Sequence, residues 1–389
     1  MSQKICDFVP SSCELLALGE PTHKEPGFAS IRNELFVDLV DRGFRSVALE
    51  TDRVAALAVD EFVRGGEGVL DEVMRTGFSH DFGELTGNRE LVAWLRAYNK
   101  GRPAEDQVGF HGFDAAMETM SAPSPRTYLE FARDYLELDF DIAGPAGSDE
   151  RWSRSEAVLD AKMSPGATEE AEQLRAMGDD MLALLYTRAP ERIAATSLHE
   201  WRRAAIHLTA GLGLLRYHRQ AAAPTEDGVR WNSLAASRDT LMAQNLLDIR
   251  SLEARRGPTL VHSHNLHLRR NTSTMDMGPM ELVWSGAGAI VGALMEEQYR
   301  VVLGSLGRSD GLELAEPAPG TYENTLQNRI DTWGLVPAAE LEPGLIRIDV
   351  TQEQGYFPLD ADTIAGADTI LHLNAGTCQA AESRTSSSR

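Results

Sequence analysis

Four short polar clusters in this chain hold the residue types of acid–base catalysis. They are Glu20-Pro21-Thr22-His23, Glu50 to Arg53, His111 to Asp114, and His262-Ser263-His264-Asn265-Leu266-His267. A neutral imidazole, with an ordinary pKa of about 6.5, suits a general base. A carboxylate such as Glu20 can fix the tautomer of that base and stabilise its imidazolium. A cation such as Arg32, or a second imidazole, can hold a developing oxyanion, each donor being worth ~3 kcal/mol in known cases. These parts are what water needs to open an ester or lactone: a base, an oxyanion holder and a proton donor to the leaving oxygen. Taken singly, Glu20, Glu50 and Asp114 also read as helix caps, and Arg32 as half of a surface ion pair. The cluster of His262, His264 and His267 reads less easily that way, because imidazoles after an apolar run are costly to bury unless used.

Other candidates carry less. His199, His207 and His218 lie in helical stretches and read as ordinary helix residues; His80 and His372 read as structural. Gly307-Arg308-Ser309-Asp310-Gly311 matches G-x-S-x-G, but a nucleophile elbow needs a helix after it, and here the chain runs to Pro317. It is expected to be a surface turn. No P-loop is present, and no G-x-G-x-x-G follows a strand, so no nucleotide cofactor is expected.

The clusters share a position relative to the elements that must hold them. Short apolar runs at 14–18, 46–49, 107–113 and 259–261 read as strands, and each ends at one cluster. Residues 27–42 have helical spacing, with Phe28, Ile31, Leu35 and Leu39 on one face; 54–63 and 90–98, the latter after Asn88, follow suit. Strand–helix–strand order with short links implies a parallel sheet covered on both faces. Open parallel sheets bind ligands outside the carboxyl ends of their strands, which brings Glu20, His23, Glu50, His264 and His267 toward one cleft. From 123 to 256 nearly everything is helix-like: 168–186, 191–220, and 233–256 stopped by Gly257-Pro258. Later strand candidates are 300–303, 345–350 and 369–373. A helix over 280–298 contains Gly286, Gly288 and Gly292, which suit close packing rather than phosphate binding.

The expected fold class is therefore α/β: a mostly parallel central sheet flanked by helices, with a large all-helical insertion. Residues 1–119 and 236–375 are expected to form the α/β part, 120–235 the insertion covering the cleft, and 376–389 a disordered polar tail.

Composition narrows the partners. The chain has 389 residues, with 37 Lys plus Arg against 59 Asp plus Glu, a formal charge of −22. No basic stripe offsets that acidic field, which argues against nucleic acid and anionic lipid as partners. No apolar run approaches the ~20 residues that span a bilayer, and no signal peptide is evident. Cys6, Cys13 and Cys378 fit no metal spacing, and a reducing, cytoplasmic setting is expected. The partner expected is a small-molecule substrate; oligomeric state is not legible.

Six segments resemble the erythromycin esterase family. They are Gly19-Glu20-Pro21-Thr22-His23, Ala48-Leu49-Glu50, Trp94-Leu95-Arg96-Ala97-Tyr98-Asn99, Gly112-Phe113-Asp114, Arg238-Asp239-Thr240-Leu241-Met242-Ala243-Gln244-Asn245 and His264-Asn265-Leu266-His267. They come in the family's order and extend from about residue 13 to 307. The resemblance implies a hydrolase that opens macrolide lactones with water and no acyl-enzyme. It puts the catalytic base on His23, the essential carboxylate on Glu20, the active-site arginine on Arg32 and the paired histidines on His264 and His267. Glu50 is expected to orient that second pair, and Arg53, His111, Asp114, His262 and Asn265 to contact substrate. The chain departs from the family where Lys24 replaces a small Gly and His262-Ser263 replaces Trp-Ala. A third departure is Phe78-Ser79-His80-Asp81-Phe82, which replaces an aromatic-rich segment.

Two rival readings use the same residues. Glu20, His23, His264 and His267 include enough nitrogen and oxygen ligands for zinc, and His262 and His264, two apart on a strand, would face one side. The favoured expectation is that metal is not required. Alternatively, the same acid and base, without a nucleophile, could run elimination, dehydration or ring closure in natural-product tailoring. A pure binding module would not need five titratable groups at one sheet edge.

Overall fold

The computed structural model describes residues 5–376. Among these residues nine strands follow in chain order: β1 (Leu15–Glu20), β2 (Ser46–Asp52), β3 (Gly109–Asp114), β4 (Thr259–His264), β5 (Ser273–Met277), β6 (Met280–Trp284), β7 (Tyr299–Arg308), β8 (Trp333–Pro337) and β9 (Thr369–Ala375). Seven form one sheet in the order β3-β2-β4-β1-β7-β9-β8, and β5 and β6 form a separate hairpin. All pairings in the large sheet are parallel except β8 with β9. β1 and β4 are buried along their whole length, as strands covered on both faces must be.

Alternation along each strand divides the core. Leu16, Leu18 and Val47 pack on one side with Phe28, Leu35 and Leu95 from the Pro26–Asp41 and Thr86–Asn99 helices. Leu15, Ala17 and Ala48 pack on the other with Met242, Leu246 and Val291 from the Asp227–Glu253 and Ala287–Met295 helices. Between the Arg126–Tyr135 helix and β4 the described chain is helical, and the Arg126–Tyr135, Glu169–Thr187 and Leu198–Ala221 helices share a cluster around Leu129, Met181 and Leu208.

Several sequence expectations change. The run over 280–298 is not one helix. Met280–Trp284 pairs antiparallel with Ser273–Met277, and the helix starts only at Ala287. The tight turn at Gly278, with φ of 61°, and the β-forming Leu282, Val283 and Trp284 favour the hairpin. A Cβ on Gly288 would come within 1.9 Å of the Leu268 carbonyl oxygen, so this glycine does serve close packing. Residues 345–350 make no strand; Leu345 and Ile348 are largely exposed, so no sheet face holds them. The edge strand is instead β8. The helix expected from Ser233 starts at Asp227, and the one expected after Asn88 starts at Thr86. Ser309 is buried, and its hydroxyl donates to Glu25 Oε2 at 2.9 Å, so its turn is not a surface one; no helix follows it directly. Most of the tail expected over 376–389 lies outside the described residues.

Candidate active site

β3, β2, β4 and β1 are neighbours in the sheet, and their carboxyl ends carry Asp114, Glu50, His264 and Glu20. β2 has a bulge there: Leu49 pairs with Gly112 and Asp52 with Asp114, three steps against two. Bulges at strand ends re-aim side chains. A Cβ on Gly112 would lie 2.5 Å from the Thr51 and Asp52 carbonyls, so the crossing requires glycine. The Glu50 side chain then meets the β4 end, accepting bonds from Ser263 Oγ at 2.6 Å and the His264 amide at 3.0 Å.

Carboxylates and imidazoles alternate along this edge. His262 Nε2 lies 3.3 Å from Glu20 Oε2, and Glu20 Oε1 lies 2.8 Å from His23 Nδ1. His23 Nε2 is 3.7 Å from Glu50 Oε2, Glu50 Oε1 is 3.5 Å from His267 Nε2, and His267 Nδ1 is 2.9 Å from Asp239 Oδ1. The Glu20 and Glu50 side chains are 11% and 6% exposed, whereas that of His23 is 33% exposed. His23 is thus the member of the row most open to the cleft.

Charge follows from the row. Burial pushes the Glu20 and Glu50 carboxyls up, but the imidazoles beside them hold both well below the usual range. Burial also opposes a charged His23, yet Glu50 and Glu20 more than offset it and raise its pKa to about 9. His23 is therefore not the unperturbed imidazole expected from sequence. Burial is opposed in the same way at His267, whose pKa Asp239 and Glu50 raise.

His264 is the exception. Its Nδ1 accepts from the Leu266 amide at 3.2 Å, so a neutral ring carries its proton on Nε2. That Nε2 is buried with no partner among the described residues. Burial, then the charges of His23 and His267, push its pKa down to about 3. His264 therefore offers a neutral N–H donor at neutral pH, 5.3 Å ring to ring from His23.

Arg32 is 2% exposed. Its guanidinium donates to Asn88 Oδ1, Asn33 Oδ1 and the Gly87 carbonyl, all neutral acceptors, and no carboxylate among the described residues lies within ion-pair distance. Burial lowers its pKa to about 10, which still leaves it charged. Arg32 shares with Glu20, His23, Glu50, His262 and Ser263 a cavity of about 330 Å³, walled on its apolar side by Leu49, Phe78, Phe82 and Leu85.

Other expected contacts lie elsewhere. Asn265 spends its amide on Gly304, bonding both the carbonyl and the N–H of β7. Arg53 pairs with Asp248 at 2.7 Å, and His111 with Glu253 at 2.9 Å. Arg53 and Asp114 border a second cavity of about 400 Å³, lined by Trp201, Ile206 and Leu241, rather than the His23 cavity.

Sequence reasoning missed three parts. Arg238 bridges Asp114, at 2.6 Å, and Glu50, at 3.2 Å. His80, set aside as structural, pairs with Asp114 at 3.0 Å and with Glu118 at 3.1 Å. His80 and Asp81 are both left-handed, with φ of 57° and 58°, and that loop sets Phe82 5.0 Å from the His23 ring. Paired non-glycine residues in this region are strained and cluster at functional sites. Asp239 holds His267, the Trp284 indole at 2.8 Å and the Ala287 amide at 2.7 Å. The adjacent Arg238-Asp239 pair, which opens the helical segment resembling the family, was the available signal.

Asp239→Ala would leave the His267 ring N–H, an indole N–H and a backbone N–H buried without their acceptor. It is expected to destabilise the fold by about 3–5 kcal/mol. Asp239→Asn, which keeps an oxygen in place, is expected to cost less. Denaturant midpoints of the two variants check this; equal small losses would contradict it.

The erythromycin esterase family profile matches residues 39–388. The chain belongs to the erythromycin esterase family. The match begins after Glu20, His23 and Arg32, so their place in this erythromycin esterase family member comes from the geometry above. A Bacillus cereus protein superposes with a TM-score of 0.68 at 16% identity, covering 96% of this chain and 90% of its own. A mutant of the erythromycin esterase EreC in its open conformation gives 0.66 at 16%, covering 94% and 92%. A succinoglycan biosynthesis protein gives 0.68 at 15%, covering 96% and 90%. At such identities these likenesses speak to the fold. Comparison with the sequences of curated proteins finds no match. Among the described residues no helix is long and apolar enough to cross a membrane.

Proposed function

We propose that this family member hydrolyses an ester or lactone by direct attack of water, with His23 as general base. One observation carries the reading. His23 has Nδ1 fixed by Glu20 at 2.8 Å, while Nε2 faces a 3.7 Å gap to Glu50 at the wall of the cavity. Water in the cavity beside that pair would give its proton to Nε2 as its oxygen bonds to the acyl carbon. The His264 Nε2–H and the Arg32 charge would hold the oxyanion. Collapse breaks the acyl carbon–oxygen bond, and the His23 imidazolium returns its proton to the leaving oxygen. The products are a carboxylic acid and an alcohol, joined in one molecule if the substrate is a lactone. No acyl-enzyme forms and no Lewis acid is called for. Family membership supports the hydrolase class; the apolar wall of the cavity supports a natural-product substrate, macrolide-like or smaller.

Turnover of a lactone and ester panel in ¹⁸O-labelled water, read by mass spectrometry, tests this. A lactone is expected to give one product heavier by one water and an ester to split into an acid and an alcohol, the label entering the carboxyl group, with the protein mass unchanged, and activity survives a chelator. Loss of water or an unchanged mass would support elimination or cyclisation at the same site. Activity lost to the chelator and restored by zinc would overturn the metal-free scheme.

A further inference from the structure

The Leu198–Ala221 and Asp227–Glu253 helices are joined by a short turn and share a core near it, where Leu214, Tyr217 and Leu234 cluster. They still touch at Gly213, whose Cβ would sit 3.0 Å from Leu241. Farther from the turn each is held by a different partner. Ala204 and Leu208 pack into the Leu129 cluster of the insertion, whereas Leu246 and Ile249 pack beneath the sheet. The cavity of about 400 Å³ lies between these two diverging halves, with Arg53 and Asp114 at its floor from the ends of β2 and β3. It shares no lining residue with the His23 cavity.

Most polar groups of its wall are satisfied within the protein. Trp201 Nε1 donates to the Leu185 carbonyl at 3.0 Å, and the Thr209 hydroxyl to the Ala205 carbonyl at 2.9 Å. The Asn245 amide donates to the Phe113 carbonyl at 3.0 Å. Asp114 is paired with Arg238 and His80, and Arg53 with Asp248. Gln244, Asp248 and Ser251 are exposed and can be met by water. What is left for a ligand is apolar: Leu182, Ile206, Leu214, Leu241 and the Trp201 ring. Tyr186 and Leu198 extend that surface into solvent. One charge has no counterpart. Arg202, half-buried on the same wall, makes no hydrogen bond or ion pair among the described residues. A mostly apolar cavity with a single unmatched polar group is the usual form of a small-molecule site.

We propose that this cavity is a second binding site, separate from the His23 cavity, for an amphipathic monocarboxylate whose aliphatic body lies on the apolar wall and whose carboxylate lies on Arg202. A guanidinium fork matches a carboxylate in shape and charge. A doubly charged head would be disfavoured, because Asp248 lines the same space. From Arg202 to Gly213 the lining helix rises about 16 Å, longer than an eight-carbon chain.

Calorimetric titration with octanoate and 1-octanol tests this on the full chain. Octanoate is expected to bind the wild type saturably, one per chain, and 1-octanol about tenfold more weakly. Arg202→Gln should bring octanoate down to the level of 1-octanol and leave 1-octanol within about threefold. Ala210→Trp, which fills the space between the helices, should abolish both. Its melting curve shows whether it has folded, and the Arg202→Gln comparison does not depend on it. No saturable binding to the wild type, equal binding of acid and alcohol, or octanoate binding indifferent to Arg202→Gln would overturn the proposal. So would binding that persists in folded Ala210→Trp. His23→Ala should bind octanoate as the wild type does; binding lost there would put the acid in the catalytic cavity and overturn the second site. None of these readouts uses turnover, so the proposal stands or falls apart from the reaction assigned to His23.

Discussion

His23→Ala is expected to lower kcat by at least ~10², within the ~10²–10⁴ typical of a lost general base, with KM changed far less. The argument is positional. Of the row from His262 to Asp239, His23 is the member whose side chain is a third exposed, and its Nε2 has the widest gap to a neighbour, 3.7 Å. The wild-type profile should carry the mark of the surrounding carboxylates. Raised toward about 9, His23 is mostly protonated at neutral pH, so rate should climb as pH rises, along an acid limb above the ordinary 6.5. His207→Ala is the control: His207 stacks on Phe131 at 3.8 Å and bonds the Arg203 carbonyl, away from this edge. A folded His23→Ala enzyme with near-wild-type kcat would sink the assignment, and an essential His207 would move the cleft elsewhere.

Glu50→Gln should cost about as much, ~10² or more in kcat/KM, by a different route. Glu50 is the junction where Arg238, His267, Ser263 and the His264 amide meet beside His23. Removing its charge leaves Arg238 and His267 with less compensation and takes away the anion facing His23 Nε2. The sign is fixed: an anion near His23 favours its protonated form, so losing it moves the acid limb to lower pH. A Glu50→Gln profile that moves up, or a rate that falls less than about threefold, would show that Glu50 is not coupled to the base.

Much of this site was legible because β-strand ends are legible. Apolar runs closed by Glu20, Glu50, Asp114 and His264 announce parallel strands, and parallel strands gather their carboxyl ends. What escaped depends on partners far away in sequence. Arg238 looks like any charged helix residue until Asp114 and Glu50 arrive from two strands. His80 looks like a loop residue until Asp114 is placed beside it. Arg53 and His111 sit near strand ends, but Asp248 and Glu253 on the helix packed behind draw them away from His23. The hairpin of β5 and β6 was lost because Met280–Trp284 runs into genuine helix without a breaker stronger than Gly286.

The Asp227–Glu253 helix has 27 residues, about 40 Å of continuous rod. It enters among the insertion helices, where Leu234 packs with Leu214, and leaves beneath the sheet, where Leu246 packs with Ala48. Arg238 and Asp239 lie between those two anchorages. Any chimera that exchanges the helical region by cutting at residue 235 would sever this rod one turn before them, at a new and fraying helix end. The insertion is therefore not a detachable module. An engineered graft has to carry the helix whole, or it would lose the charge network.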